Sequence, residues 1–231
     1  MKTLHRTLLA SSVALAIAGG IMQASMANEA PVAYNTINDN LLISQNQKAR
    51  HINTVNGDVR VQTGAHVEHI NTVSGDLWLE PNVRVEALHT VNGDVFVDRS
   101  VNIGQIDTVN GDLDIRQDSG IKRLHSVNGD LQANAARFGQ IDTVNGDILL
   151  KNATVTGDIT TFSGGIKLTG TTRIDGSIVY EKPKNWRKSD KDITLSIGPH
   201  VVVKGKIVLH HPVRLDIHPD AKTGQIVKTY Q

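Results

Sequence analysis

Residues 51–80 read HINTVNGDVRVQTGAHVEHINTVSGDLWLE and contain one unit written twice. His51 to Asp58 returns 18 residues later as His69 to Asp76, altered only by Ser74 in the place of Asn56. The pentapeptide T-V-N-G-D runs on as Thr90 to Asp94, Thr108 to Asp112, Ser126 to Asp130 and Thr143 to Asp147. Its glycines stand at 57, 75, 93, 111, 129 and 146, which is four steps of 18 and one of 17. A period this strict marks a solenoid, in which each unit packs on its two neighbours. Degenerate copies at Thr36 to Asn40 and Thr161 to Gly165 extend it both ways, as expected of end rungs that must cap an exposed core.

Within the unit the apolar residues alternate. Ile52, Ile70, Leu88, Ile106, Leu124 and Ile141 stand five before the glycine, and pairs such as Val59/Val61 and Leu113/Ile115 stand two and four after it. Val67, Val85, Ile103 and Ile121 follow about ten after. Period-two alternation in three short segments separated by turns predicts an all-β chain, a single-stranded three-sided parallel β-helix. Successive rungs stack at about 4.8 Å, so each inward position becomes a column of like side chains. An antiparallel sandwich has no need of an identity period, and no stretch of the mature chain carries a helical one. About ten such rungs fit residues 28–231. A basic segment, 181–192, breaks the pattern with Pro183 and Trp186 and reads as a loop projecting from the coil; residues 208–231 read as a C-terminal cap.

Aromatic residues are 3% of the chain, which excludes a core built on large rings and suits thin stacked layers. Cysteine is absent, so disulfides and thiolate metal sites are excluded. Residues 1–27 read as a secretory signal: Lys2 and Arg6 open it, Leu8 to Met22 are weakly apolar, and Ser25-Met26-Ala27 offers small residues for cleavage. The expected compartment is the periplasm or the outside of the cell. No later apolar run is long enough to cross a bilayer, so no transmembrane segment is expected after cleavage. The leader holds two of the 24 basic residues and none of the 23 acidic ones, leaving 22 against 23 and a net charge of −1. That balance argues against nucleic acid as the main partner.

The turn-strand unit, as in Val55-Asn56-Gly57-Asp58-Val59 and Val155-Thr156-Gly157-Asp158-Ile159, resembles that of bactofilin-type and putative-adhesin β-helices. So does Ile197 to Val201 leading into Val203 to Ile207. The resemblance spans about residues 36–220 and implies a right-handed three-sided coil of the kind that polymerises end to end without nucleotide. The leader sets this chain apart from cytosolic members.

Several polar columns follow from the period. Asn56, Asn92, Asn110, Asn128 and Asn145 are placed to form a stacked amide ladder. Asp58, Asp76, Asp94, Asp112, Asp130 and Asp147 stack one above another, where each close pair of like charges costs about 1 kcal/mol in water. Either turn N–H groups compensate them, or they form a row of weak divalent-cation sites. The unit lacks the glycine-rich nonapeptide of Ca²⁺-binding rolls, and no metal is expected. Three after the glycine stand Arg60, Trp78 and Phe96; their inward neighbours force the two rings outward on adjacent rungs, as a contact for a glycan or a partner. In the basic loop Lys184, Trp186, Arg187 and Lys188 form a second contact for anionic glycan or lipid headgroups. The Thr54 row reads as interior or corner packing rather than an ice-binding face. His51, His69, His89 and His125 read as solvated, and His200, His210 and His211 lack a recognisable acceptor pocket. No nucleophile elbow, paired carboxylates or phosphate loop stands out, so no catalysis and no cofactor are expected. The expected role is a structural or interaction scaffold that self-associates, through its ends or its aromatic face, or binds an envelope component; a glycan-binding module is the alternative.

Overall fold

The computed structural model describes residues 13–15, 22–24, 31–182 and 193–230. The proposed cleavage point and most of the leader lie outside them, as do Lys184, Trp186, Arg187 and Lys188 of the basic loop. Val13–Leu15 and Met22–Ala24 pair in parallel with the first full rung, against Val32–Thr36 and Leu41–Ile43.

The chain is a parallel β-solenoid. Every strand pairing among the described residues is parallel, and the register places each residue over its repeat equivalent, as Ile52 over Ile70 and Ile106 over Leu124. The rung from Asn102 to Ser119 shows the plan. Its nine-residue strand, Asn102–Asn110, pairs above and below except at Gly104 and Val109, and at Gly104 two successive outward residues turn the chain through a corner. Residues 102–104 therefore form side one and residues 106–110 side two, while the short strand Leu113–Ile115 forms side three. The short strands stack as an 11-stranded sheet.

Six positions of this rung point inward: Ile103, Ile106, Thr108, Leu113, Ile115 and Ser119, all buried. Their repeats build continuous columns mainly of Val, Ile, Leu and Ala, with the Tyr34, Phe138 and Tyr180 rings buried among them. The threonine column lies inside it. The Thr72, Thr90, Thr108 and Thr143 hydroxyls are buried without a hydrogen-bond partner, each at a desolvation cost of about 1–3 kcal/mol.

The second corner is the V-N-G-D turn. Gly111 sits there at φ 136°, a region open essentially to glycine alone, and a Cβ on it would fall 2.1 Å from the Gly93 carbonyl oxygen. The third corner needs one left-handed residue per rung, supplied in turn by Gly64, Asn82, Ser100 and Asp118. The single 17-residue step is absorbed at this corner: Ala135 takes the left-handed place one residue earlier, and the strands on both sides keep their register.

Beyond Asn145 the long strand divides into Thr154–Val155 and Ile159–Thr161, both still paired with Arg137–Asn145. The basic segment expected to form a loop falls within a rung enlarged to 29 residues, between Gly176 and Gly205. Within the tail expected to act as a cap, Arg214–Ile217, Lys222–Thr223 and Ile226–Lys228 form a last rung on the coil.

Candidate interaction surfaces

The polar ladders run along the axis and are bonded by it. Asn110 donates from Nδ2 to Asn92 Oδ1 at 2.8 Å, and Asn128 and Asn145 repeat the contact at 2.9 Å. Ser74 interrupts the column, and Asn56 donates downward to Asn38 at 3.1 Å. A second amide ladder, outside the pentapeptide's asparagine, joins Asn35, Asn53 and Asn71 at 2.7 and 2.8 Å.

Each aspartate accepts from the backbone of the next rung. The Asp76, Asp94, Asp112, Asp130 and Asp147 N–H groups donate to the carboxylate Oδ1 one rung below, at 2.7–3.0 Å. The first member, Asp58, donates to Asn40 Oδ1 at 2.7 Å, so a neutral amide serves the same place. One oxygen of each carboxylate is thus committed to the coil. Among the described residues no group of three or more His, Asp or Glu converges as a metal site.

Trp78 and Phe96 stand on adjacent rungs of side three, half-buried and stacked with centroids 5.5 Å apart and planes 11° from parallel. Their faces meet each other along the axis, which turns ring edges toward solvent. Arg60, one rung below, reaches across to Glu80 at 2.8 Å instead of joining the stack. Burial raises the Glu80 carboxyl, but hydrogen bonds from Arg60 and Thr63 outweigh it and hold the group below the usual carboxylate range. His51 and His69 also stack, with centroids at 5.1 Å, and His89 lies 2.8 Å from Asp107. His211 is buried, its Nε2 2.9 Å from the Phe162 carbonyl and its ring edge-on to Tyr180.

The most regular exposed feature is the valine of the pentapeptide, which sequence reasoning passed over. Ile52 and Thr54 point inward, so Val55 points out, and the same parity holds in every copy. Ile37, Val55, Val73, Val91 and Val109 are 40–67% exposed, and Val127 and Val144 continue the row half-buried. They form a ridge along side two beside a groove of about 600 Å³, walled by Asn53, Asn71, His89 and Asp107. The signal was in the repeat itself: an apolar residue written six times at an outward parity.

Side one differs from rung to rung. Glycine stands at 104, 120 and 139, opening a shallow groove of about 950 Å³ edged by Arg84, Lys122, Arg123 and Arg137.

Compared with protein-family models, curated proteins and solved structures, the chain matches none. Its class is that of the parallel β-solenoids, on the evidence of its own register.

Proposed function

We propose that the protein is a non-catalytic scaffold of the cell envelope, exported to the periplasm or beyond, in which two coils pair side by side through the valine ridge. The ridge carries the reading, because it is exposed, apolar and repeated without any use inside the coil. Large apolar surface left open on a soluble protein marks a contact site. A second copy is the occupant that matches it: an antiparallel neighbour lays a row of valines, spaced by the same rung height, on an identical row.

The magnitude sets the strength. Six steps of about 4.8 Å give a ridge of roughly 29 Å. With the flanking column it covers roughly 500 Å² per partner, below the about 800 Å² of a standard interface. Pairing of single coils is therefore weak and reversible, and gains strength only when coils are held together or concentrated. The bactofilin-type resemblance belongs to this reading as a likeness of architecture. End-to-end growth has less support, since the last rung carries Lys222 and Lys228 on short edge strands, a device that blunts strand addition. A glycan platform at Trp78 and Phe96 also has less, because a sugar stacks on a ring face and one face of each ring is covered by the other.

Sedimentation velocity across a concentration series tests it. The expected result is a concentration-dependent dimer, lost in Val73→Lys/Val91→Lys and retained in Trp78→Ser/Phe96→Ser. A strict monomer at every concentration, or a dimer indifferent to the valine changes, refutes lateral pairing.

A further inference from the structure

We infer that the groove on side one is a binding site for a linear acidic polysaccharide, independent of the valine ridge, which lies on another side of the coil. Four cations edge the groove, Arg84, Lys122, Arg123 and Arg137, against one carboxylate, Glu86. Four arginines elsewhere on the coil surface rest on carboxylates, Arg50 on Glu68, Arg60 on Glu80, Arg116 on Asp98 and Arg173 on Asp175, all within 4.0 Å, while Arg99 and Arg214, among the described residues, do not. Arg84, Lys122 and Arg137 are exposed and have no such partner among the described residues, and Arg123 reaches only the neutral Gln105, at 3.0 Å. Unpaired positive charge collected around a concavity, on a chain with 24 basic and 23 acidic residues, is a local field made for an anion.

The shape narrows the ligand. From Arg84 to Arg137 the groove crosses three rung steps, about 14 Å. That length fits an extended chain with repeated charges and leaves a single small anion able to reach only part of the set. Asn102, Gln105 and Thr156 add hydrogen-bonding side chains suited to hydroxyl groups. A single-stranded nucleic acid would call for exposed rings to stack its bases, and the one ring in the groove wall, Phe138, is buried and faces the core.

The glycines of the groove are not equivalent. A Cβ on Gly104 or Gly139 would fall 2.4 or 2.2 Å from a backbone oxygen of the rung below, so those two are required by the fold. A Cβ on Gly120 would meet nothing closer than the Asn102 side-chain oxygen at 3.3 Å, and Gly120 lies outside the positive-φ residues. The coil does not need glycine at 120; an open groove does.

Affinity electrophoresis of the full chain in gels containing polygalacturonate, with neutral dextran and a thymidine oligonucleotide as comparison probes, tests the site. Two variants separate shape from charge: Gly120→Phe fills the groove and leaves its charges, and Arg84→Gln/Lys122→Gln/Arg123→Gln/Arg137→Gln removes the charges and leaves its shape. Retardation by polygalacturonate and not by dextran is expected, weakened at least tenfold in each variant and strongly reduced by salt, with melting temperatures near that of the parent. No retardation at low salt overturns the proposal, as does retardation indifferent to both variants. Tighter binding of the oligonucleotide with the same sensitivity to the variants overturns the polysaccharide assignment. The valine variants leave this binding unchanged, so failure here and failure of lateral pairing are distinguishable.

Discussion

Replacing Gly111 by alanine should destabilise the coil by about 3 kcal/mol, although only a methyl group is added. Two costs combine. The residue holds φ 136°, where a side chain strains the backbone by about 1–3 kcal/mol. The new Cβ also meets the Gly93 carbonyl oxygen at 2.1 Å and its carbon at 2.7 Å, so the corner must open along the stack. Opening it stretches the bond from the Gly93 N–H to the Asn110 carbonyl, 3.2 Å as it stands, at about 1 kcal/mol. The control is Gly120→Ala, a glycine of the same coil with space for a Cβ and no positive φ, where alanine should be neutral or better by up to about 1 kcal/mol. In a chain of this size about 1 kcal/mol moves the melting temperature by roughly 2–4 °C. Gly111→Ala should therefore melt about 6–12 °C lower and Gly120→Ala at or slightly above the parent, by calorimetry on matched samples. If the two variants melt together, close contact between rungs at the V-N-G-D corner is not what fixes its glycine.

Asp94→Asn keeps an oxygen for the Asp112 N–H and removes one like charge from the column, as Asn40 does naturally, so its stability should stay within about 0.5 kcal/mol of the parent. Asp94→Ala removes the acceptor and should cost about 1 kcal/mol in urea unfolding; equal losses in both would show that charge, not the hydrogen bond, is what the column needs. Burial pushes the Tyr180 phenol well above its ordinary value of 10.0, so above that pH the unfolded chain releases a proton that the folded chain keeps. Stability should fall as pH rises past about 10, and Tyr180→Phe should flatten that part of the curve; an unchanged alkaline slope would place its origin elsewhere.

The fold was legible because an identity period converts directly into register. Ile52 and Ile70 had to be stacked if the 18-residue step was one turn of the coil, and parity then sorted inward from outward. The third corner was not legible, because it is specified by backbone conformation alone. Gly64, Asn82, Ser100 and Asp118 share a left-handed φ and little else, and no side-chain identity repeats to announce it. The side-one groove was hidden for a related reason. Arg84 and Arg137 share one place in the repeat but are separated by Asn102 and Gly120, Lys122 stands at another, and only stacking the rungs brings the three around the same glycines. Trp78 and Phe96 were placed outward and adjacent by parity, but the way they stack depends on rotamers, which the sequence does not carry.

A repeated residue in a solenoid needs a cause that acts on every rung. For Ile52 and its equivalents that cause is burial, and for the asparagine and aspartate columns it is a hydrogen bond to the next rung. Val55, Val73, Val91 and Val109 have neither: they are about 40% exposed or more, and an alkyl group has no bond to pass along the axis. Strand propensity alone does not account for them, since it distinguishes residues by no more than about 1 kcal/mol and threonine or tyrosine would serve as well. The outward column of side three makes the comparison within the same chain. It too lies in mid-strand, paired in register, and it reads Arg60, Trp78, Phe96, Asp114, Gln132 and Leu149. Where only the strand is at stake the outward residue drifts. Valine has not drifted on side two, so what holds it there is something that meets every rung from outside, at the spacing of the rungs.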